Sequence, residues 1–367
     1  MTDAKPTGSA EVRVALAGVG GCASSIAQTV ELAGRSSEQL HGIMYQEIGG
    51  YRLSDVNFVA AFEVDKRKVG LDFAKAIVTA PTAAVAHVHV EPKGLTVEAG
   101  PLLDGIEGKL AAAIDPHPDC ANITVEHVTQ RLREVRAEVL LCVLPTGATA
   151  AVQAYARAAA LAGVAFVNAT PEPVAHDPEL VALFEANSVP LLGDDLRSHL
   201  GATTLHTALL ELLQSRNLAI TNTYQLNIGG NTDFLNLSDP VRAAGKIRSK
   251  GSALKAAGID ATKVMAGPNG YVEFLGDTKT CFLRIEATSV LDSQLNIEIR
   301  MEVEDSPNAA GVLANAARVA KVALDRKHAG VLDEVCPFLF KRPRFGAPES
   351  VGLEKFTGFI EGAVQAS

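Results

Sequence analysis

The densest group of chemically capable side chains is a polar glycine turn, Asn227-Ile228-Gly229-Gly230-Asn231-Thr232-Asp233, and four lysines that follow it. Lys246 and Lys250 stand four apart in KIRSK; if that stretch is helical, both ammonium groups lie on one face. Lys279 follows the turn GDT and begins a strand-like run, and Lys341 sits in FLFKRPRF. Ammonium groups held close together depress each other's pKa, bind phosphate and stabilise negative charge developing on oxygen. Taken singly, each lysine reads more readily as a solvated surface residue, and spacing alone does not gather the four into one site.

A second group is Gly18-Val19-Gly20-Gly21-Cys22-Ala23, which ends one apolar run and opens a helix-like one. Such glycines let the backbone turn tightly and approach a pyrophosphate, which free N–H groups at the helix start then bind. Ala23 stands where the fingerprint has its third small residue. A strand-to-helix turn with no ligand is the plain alternative. The next apolar run, residues 57–65, ends in Glu63 and Asp65. A carboxylate there accepts the adenosine ribose hydroxyls, and an acid rather than Arg favours NAD over NADP. That acid usually follows the glycines by about 20 residues; here it lies farther on, so residues 31–54 read as an insertion. Otherwise the two acids are solvated residues closing a strand.

These groups need a scaffold. VRVALAGVG (12–20), NFVAAFEVD (57–65), AEVLLCVLPTG (137–147), VAFVNA (164–169) and SVPLLGDD (188–195) read as buried strands separated by helix-like stretches, including KRKVGLDFAKAI. That alternation predicts a doubly wound parallel sheet. Past residue 205, TNTYQLNIGG, YVEFLG, TCFLRIEATSV and QLNIEIRMEVED lack intervening helices apart from the region 240–258, which predicts an open, largely antiparallel sheet. A helix returns from Ser306. VAHVHV reads as an edge strand with His87 and His89 on one face; no third ligand is near, so no metal is expected.

The net charge of −9 does not invite nucleic acid or an anionic membrane, so an anionic substrate requires a local cluster of Lys and Arg. The five scattered cysteines fit reduced thiols in the cytoplasm. The polar start MTDAKPTGSAE has no apolar signal core, and the apolar runs are strand-sized.

The ordered strings GVGGCASS, FVAAFEVDKRKVG, GPLLDGI, LPTG, FVNATP, GDDLRSHLGAT, QLNIGGNTDF, KIRSK, LGDTK, DSPNAAGV and FLFK run through nearly the whole chain. Together they resemble the myo-inositol-1-phosphate synthase family. The resemblance implies an α/β fold: an NAD-binding Rossmann domain (1–205 with 311–367) and a β-rich α+β catalytic and oligomerisation domain (206–310) of a homotetramer. It implies that Lys246, Lys250, Lys279 and Lys341 converge, with Asp195, Asn231, Asp233 and Asp305 around substrate and nicotinamide. Thr146 and Ser198 fall beside the cofactor. The implied chemistry is oxidation of a hexose 6-phosphate at C5, enolisation, internal aldol closure and re-reduction, converting glucose 6-phosphate to myo-inositol 1-phosphate. Lys279 and Lys250 would meet the developing oxyanions, with Lys246 and Lys341 nearer the phosphate or the proton transfers. His199 lies near enough to assist them.

Several positions depart from the family's usual strings: Gly21 for Asn, Cys142, Val143, Thr146 and Ala148 in CVLPTGA, Arg197 and His199 in GDDLRSH, Thr232 for Met, and Gly245 for Ser. Drift explains them, and so does an altered substrate. Fructose 6-phosphate, attacked at its C2 ketone, would close a five-membered cyclitol phosphate. A catalytically silent NAD-binding protein is the remaining alternative; it would not need the lysines.

Overall fold

In the computed structural model, residues 11–82, 84–244 and 264–362 are described. The first strand, β1 (Val12–Ala17), is buried at every position but Arg13. The short β2 (Glu47–Ile48) and β3 (Tyr51–Arg52) form a hairpin, followed by β4 (Val56–Glu63) and β5 (Glu98–Ala99). Next come β6 (Val139–Cys142), β7 (Ala165–Asn168) and β8 (Pro190–Leu192), buried at every residue. They do not alternate because helices cover both faces of a parallel sheet. With β13 (Gly330–Val331), the order is β13-β8-β7-β6-β1-β4-β5, all parallel. The chain runs outward from β1 through β4 to β5, then crosses to β6 on the other side. That reversal opens a crevice at the carboxyl ends of β1 and β6, where ligands bind in such sheets.

The helices are α1 (Gly21–Arg35), α2 (Phe73–Ala76), α3 (Val125–Glu134), α4 (Thr149–Ala162), α5 (Pro178–Ala186), α6 (Ala202–Ser215), α7 (Thr232–Leu237), α8 (Asp305–Asp325), α9 (Cys336–Leu339) and α10 (Glu349–Ile360). The pairs α1 with α8 and α3 with α4 pack against one another beside the sheet. Among the described residues no helix is long and apolar enough to cross a membrane.

The second sheet has β9 (Ala219–Gly229), β10 (Val264–Tyr271), β11 (Thr278–Thr288) and β12 (Gln294–Glu304) in the order β10-β9-β11-β12. It is mixed: β10 runs parallel to β9, because the connection from β9 crosses over through α7, while the other two pairings are antiparallel. Register places Lys279 opposite Gly229, Cys281 opposite Asn227 and Leu283 opposite Gln225. Leu210 and Leu213 of α6 cover that face, packing with Cys281, Leu283 and Ile285. From Glu304 the chain passes straight into α8 and so returns to the large sheet.

Three local expectations are corrected. VAHVHV is not a strand: the Gln28 side-chain oxygen accepts the N–H groups of His87 and Val88, taking donors a ladder would need. YVEFLG ends β10 at Tyr271 and then turns through a short 3₁₀ helix, Glu273–Leu275. KRKVGLDFAKAI is helical only from Phe73, because Gly70 (φ +86°) breaks the run and Asp72 caps a new start.

Residues 31–54 hold the last turn of α1 and the β2–β3 hairpin. A fully buried Arg318 on α8 ties this segment down, donating to the carbonyls of Tyr45 (3.0 Å) and Gln46 (3.2 Å) and to Asn315 Oδ1 (2.9 Å). Burial lowers its pKa to about 10, so the guanidinium stays charged at neutral pH. Arg318→Ala leaves those acceptors unpaired and opens a void. The expected loss in urea unfolding is about 3 kcal/mol or more; a loss under about 1 kcal/mol would show that the carbonyls find other donors.

Candidate active site

The glycine loop leaves β1 at Gly18, whose φ of +96° lies in the left-handed region. A Cβ there would stand 3.1 Å from the Val143 carbonyl oxygen. The Glu63 carboxylate clamps the loop to the end of β4, accepting from Val19 N (2.8 Å) and Val64 N (2.7 Å). Asp65 is buried beside it and held by Arg67 Nη2 at 2.6 Å. Sequence reasoning overlooked Lys68. Its buried ammonium donates to the Val19 carbonyl (2.7 Å) and Thr82 Oγ1 (2.9 Å), and burial lowers its pKa.

Helix starts in and near the cleft are capped differently. Asp104 takes the Ala150 and Ala151 amides of α4, and Asp177 and Asn231 cap α5 and α7. The starts of α1 and α6, at Gly20 and Gly201, have no side-chain cap and no acid in the first turn. Both open into one cleft, lined on the loop side by Gly18, Gly20, Gly21 and Cys22 and beyond them by Thr146 and Ser198. Ala23 is fully buried behind it.

The opposite wall carries two lysine–aspartate pairs. Asp195 has φ +61° and Asp194 precedes it. Asp194 turns inward and is fully buried, accepting from Asn168 Nδ2 (2.7 Å), Ala175 N (3.1 Å) and His176 Nδ1 (3.0 Å). Asp195 turns to the cleft. Residues 194–196 pair with 340–342 through main-chain bonds, including Lys341 N to Asp195 O at 2.7 Å. That pairing brings Lys341 Nζ to 3.0 Å from Asp195 Oδ1.

The second pair is Lys279 Nζ on Asp305 Oδ1 at 3.0 Å, with the ammonium 5.8 Å from the centre of the Phe234 ring. Asn231 caps α7 through its oxygen and donates through its nitrogen to Asp277 (3.1 Å) and Asp305 (3.4 Å). Thr146 Oγ1 reaches Asp233 Oδ1 at 3.4 Å. The structure thus brings together Lys279, Lys341, Asp195, Asn231, Asp233 and Asp305. Lys246, Lys250 and Gly245 lie outside the described residues.

Asp277, in the same GDTK turn as Lys279, is a second residue that sequence reasoning overlooked. Its carboxylate accepts from Ser306 N (3.0 Å), Ser306 Oγ (2.8 Å) and Asn231, while burial raises its pKa. Its adjacency to Lys279 was the available signal; its burial was not visible.

Among the departing positions, Arg197 points away from the cleft to the Phe340 carbonyl and Glu349. His199 is not among the cleft-lining residues, and its N–H donates to the Asn308 carbonyl. Thr146 and Thr232 do line the cleft. His87 and His89 face Glu304 and Glu91. Among the described residues no group of three or more His, Cys, Asp or Glu is placed to hold a metal ion.

A family model of myo-inositol-1-phosphate synthase matches residues 201–306. The inositol-3-phosphate synthase of Mycolicibacterium smegmatis is 39% identical over 361 residues, covering 96% of this chain and 98% of that protein. That of Mycobacterium tuberculosis strain H37Rv is 39% identical over 362 residues, covering 97% and 98%. The crystal structure of Ari2 is 37% identical, with a TM-score of 0.79, covering 97% of this chain and 100% of that one. A myo-inositol-1-phosphate synthase-related protein from Thermotoga maritima is 26% identical, with a TM-score of 0.82, covering 96% and 98%.

Gly21 joins the two halves of the cleft. A Cβ there would lie 2.4 Å from Ser306 Oγ, the hydroxyl that bonds Asp277. Gly21→Ala must therefore move Ser306. Affinity for a dinucleotide is expected to weaken about tenfold in calorimetry, the loss of about one hydrogen bond. Unchanged affinity would show that the loop and Ser306 are independent.

Proposed function

Because the chain belongs to the myo-inositol-1-phosphate synthase family, we propose that it converts glucose 6-phosphate to myo-inositol 1-phosphate with NAD and no net redox change. One observation carries this reading: the two lysine–aspartate pairs and two uncapped helix starts all open into the same cleft. A dinucleotide suits the residues present. The glycines leave room for a pyrophosphate against the α1 amides, which have no competing side chain. We assign Gly18, Gly20, Gly21 and Cys22 to that contact and Ala23 to packing beneath it. Glu63 and Asp65 are assigned to the ribose side, and Thr146, Ser198, Asp195 and Asp305 to the nicotinamide side.

NAD, when bound, supplies the chemistry of taking hydride from C5 and later returning it. The chain's own residues do the rest. A ketone at C5 acidifies the C6 protons, and loss of one gives an enolate whose oxygen carries the charge. Lys279, fixed by Asp305, is the described ammonium we assign to that oxygen and to the aldolate that follows. A positive charge preplaced in a protein cleft is worth more there than in open solution. We assign Lys341, held by Asp195, to the phosphate or to proton transfer. The uncapped start of α6 supports a phosphate at that end. Asn231 bonds both Asp277 and Asp305, and Asp233 shares Thr146. Lys246 and Lys250 retain the roles the family resemblance implies.

We also read the chain as a cytoplasmic homotetramer. The 11-residue edge strand β12 carries a half-buried row of Leu295, Ile297, Ile299 and Met301, and a long uncovered edge of this kind favours pairing. None of the five cysteines is in a disulfide, which fits a reducing compartment. A monomer mass in light scattering would remove the tetramer.

Incubation with NAD and glucose 6-phosphate should give a six-membered cyclitol phosphate by NMR, with no build-up of NADH. Accumulating NADH, or a five-membered ring formed only from fructose 6-phosphate, would overturn the assignment. Lys279→Met should lower kcat by about a hundredfold or more while NAD still binds, as expected for loss of an oxyanion-stabilising group. Normal turnover by that variant would remove Lys279 from the mechanism.

A further inference from the structure

Gln225 lies on the inner face of β9, 1% exposed, and lines the cleft. Its amide oxygen is buried and has no hydrogen-bond partner among the described residues. Such a group is destabilising unless something else satisfies it.

Its neighbours dictate which end of the amide is left over. The main-chain carbonyl of Gly267 accepts from Asn227 Nδ2 at 2.8 Å, which turns Asn227 Oδ1 towards Gln225. Gln225 Nε2 donates to that oxygen at 3.2 Å. Flipping Gln225 would set two acceptors face to face, and flipping Asn227 as well would do the same at Gly267. The chain of amides is therefore anchored on a backbone carbonyl, and Gln225 must present an acceptor.

A buried acceptor selects a donor. Phosphate oxygens would be repelled, whereas ring hydroxyls donate. Gln225 stands opposite Leu283, four residues along the strand from the Gly229–Lys279 pair. That is about 13 Å between main-chain positions at roughly 3.3 Å per residue, a span filled by the long Lys279 and Gln225 side chains with a sugar between them, so Gln225 meets a different part of the sugar from Lys279. Thr223, two residues further, already bonds His206 of α6 at 2.7 Å, and Asn227, two residues nearer, is engaged with Gly267. We propose that Gln225 is a specificity-determining residue whose amide oxygen accepts a hydrogen bond from one of the C2, C3 or C4 hydroxyls of the sugar phosphate. This rests on the sugar-phosphate reading above.

The test is a cycle of one side chain against one hydroxyl. Wild type and Gln225→Met, which keeps the length and removes the acceptor, are compared on glucose 6-phosphate and its 2-, 3- and 4-deoxy analogues at saturating NAD. Wild type is expected to lose at least about tenfold in kcat/KM on one analogue, because a site built to bond a hydroxyl rejects the sugar lacking it. In Gln225→Met that one penalty should shrink to within about twofold, and the others should stay. Gln225→Leu serves as a second variant, with NAD binding and thermal melting confirming that each is folded. All three penalties persisting in both variants, or a change confined to the KM for NAD, overturns the assignment. A wild-type protein that turns over and binds none of the four sugars overturns the glucose 6-phosphate reading itself, and Gln225 falls with it.

Discussion

A carboxylate buried at the seam between the two sheets organises the cleft. The Asp277 carboxyl is taken out of water, and that is tolerable only because Ser306 donates twice to it and Asn231 once. Those donors belong to different parts of the fold. Ser306 is in the first turn of α8, which packs on the large sheet. Asn231 caps α7 and also reaches Asp305, the partner of Lys279. Ser306 in turn fills the space that a side chain on Gly21 would need. Satisfying one buried acid thus fixes the distance between the glycine loop and the ammonium group on the opposite wall.

The large sheet was legible in the sequence because a parallel strand covered on both faces leaves an unbroken apolar run, as Val139–Cys142 does. The second sheet was legible as strands, but its pairing was not: nothing in β10 states that it lies parallel to β9. His87 and His89 misled because their alternation is that of a strand, while Gln28, nearly sixty residues away, takes the backbone donors of His87 and Val88. Of the expected group, Lys279, Lys341, Asp195, Asn231, Asp233 and Asp305 meet in one cleft, and family strings rather than spacing pointed to them; Lys246 and Lys250 lie outside the described residues. Lys68, Asp277 and Gln225 went unnoticed for a common reason. Each matters because it is buried, and burial of a polar side chain arises from tertiary packing that no local pattern records.

Both lysine–aspartate pairs are placed by the main chain. Lys341 meets Asp195 because 340–342 hydrogen-bonds alongside 194–196, and Lys279 is set by the register of β11 on β9. Main-chain bonds are indifferent to the side chains around them. The two ammonium groups are therefore placed independently of side chains that line the cleft elsewhere, such as Thr146 and Thr232. A lineage can repaint that lining by single substitutions without moving the two ammonium groups, so the architecture is inherently open to evolving new specificities.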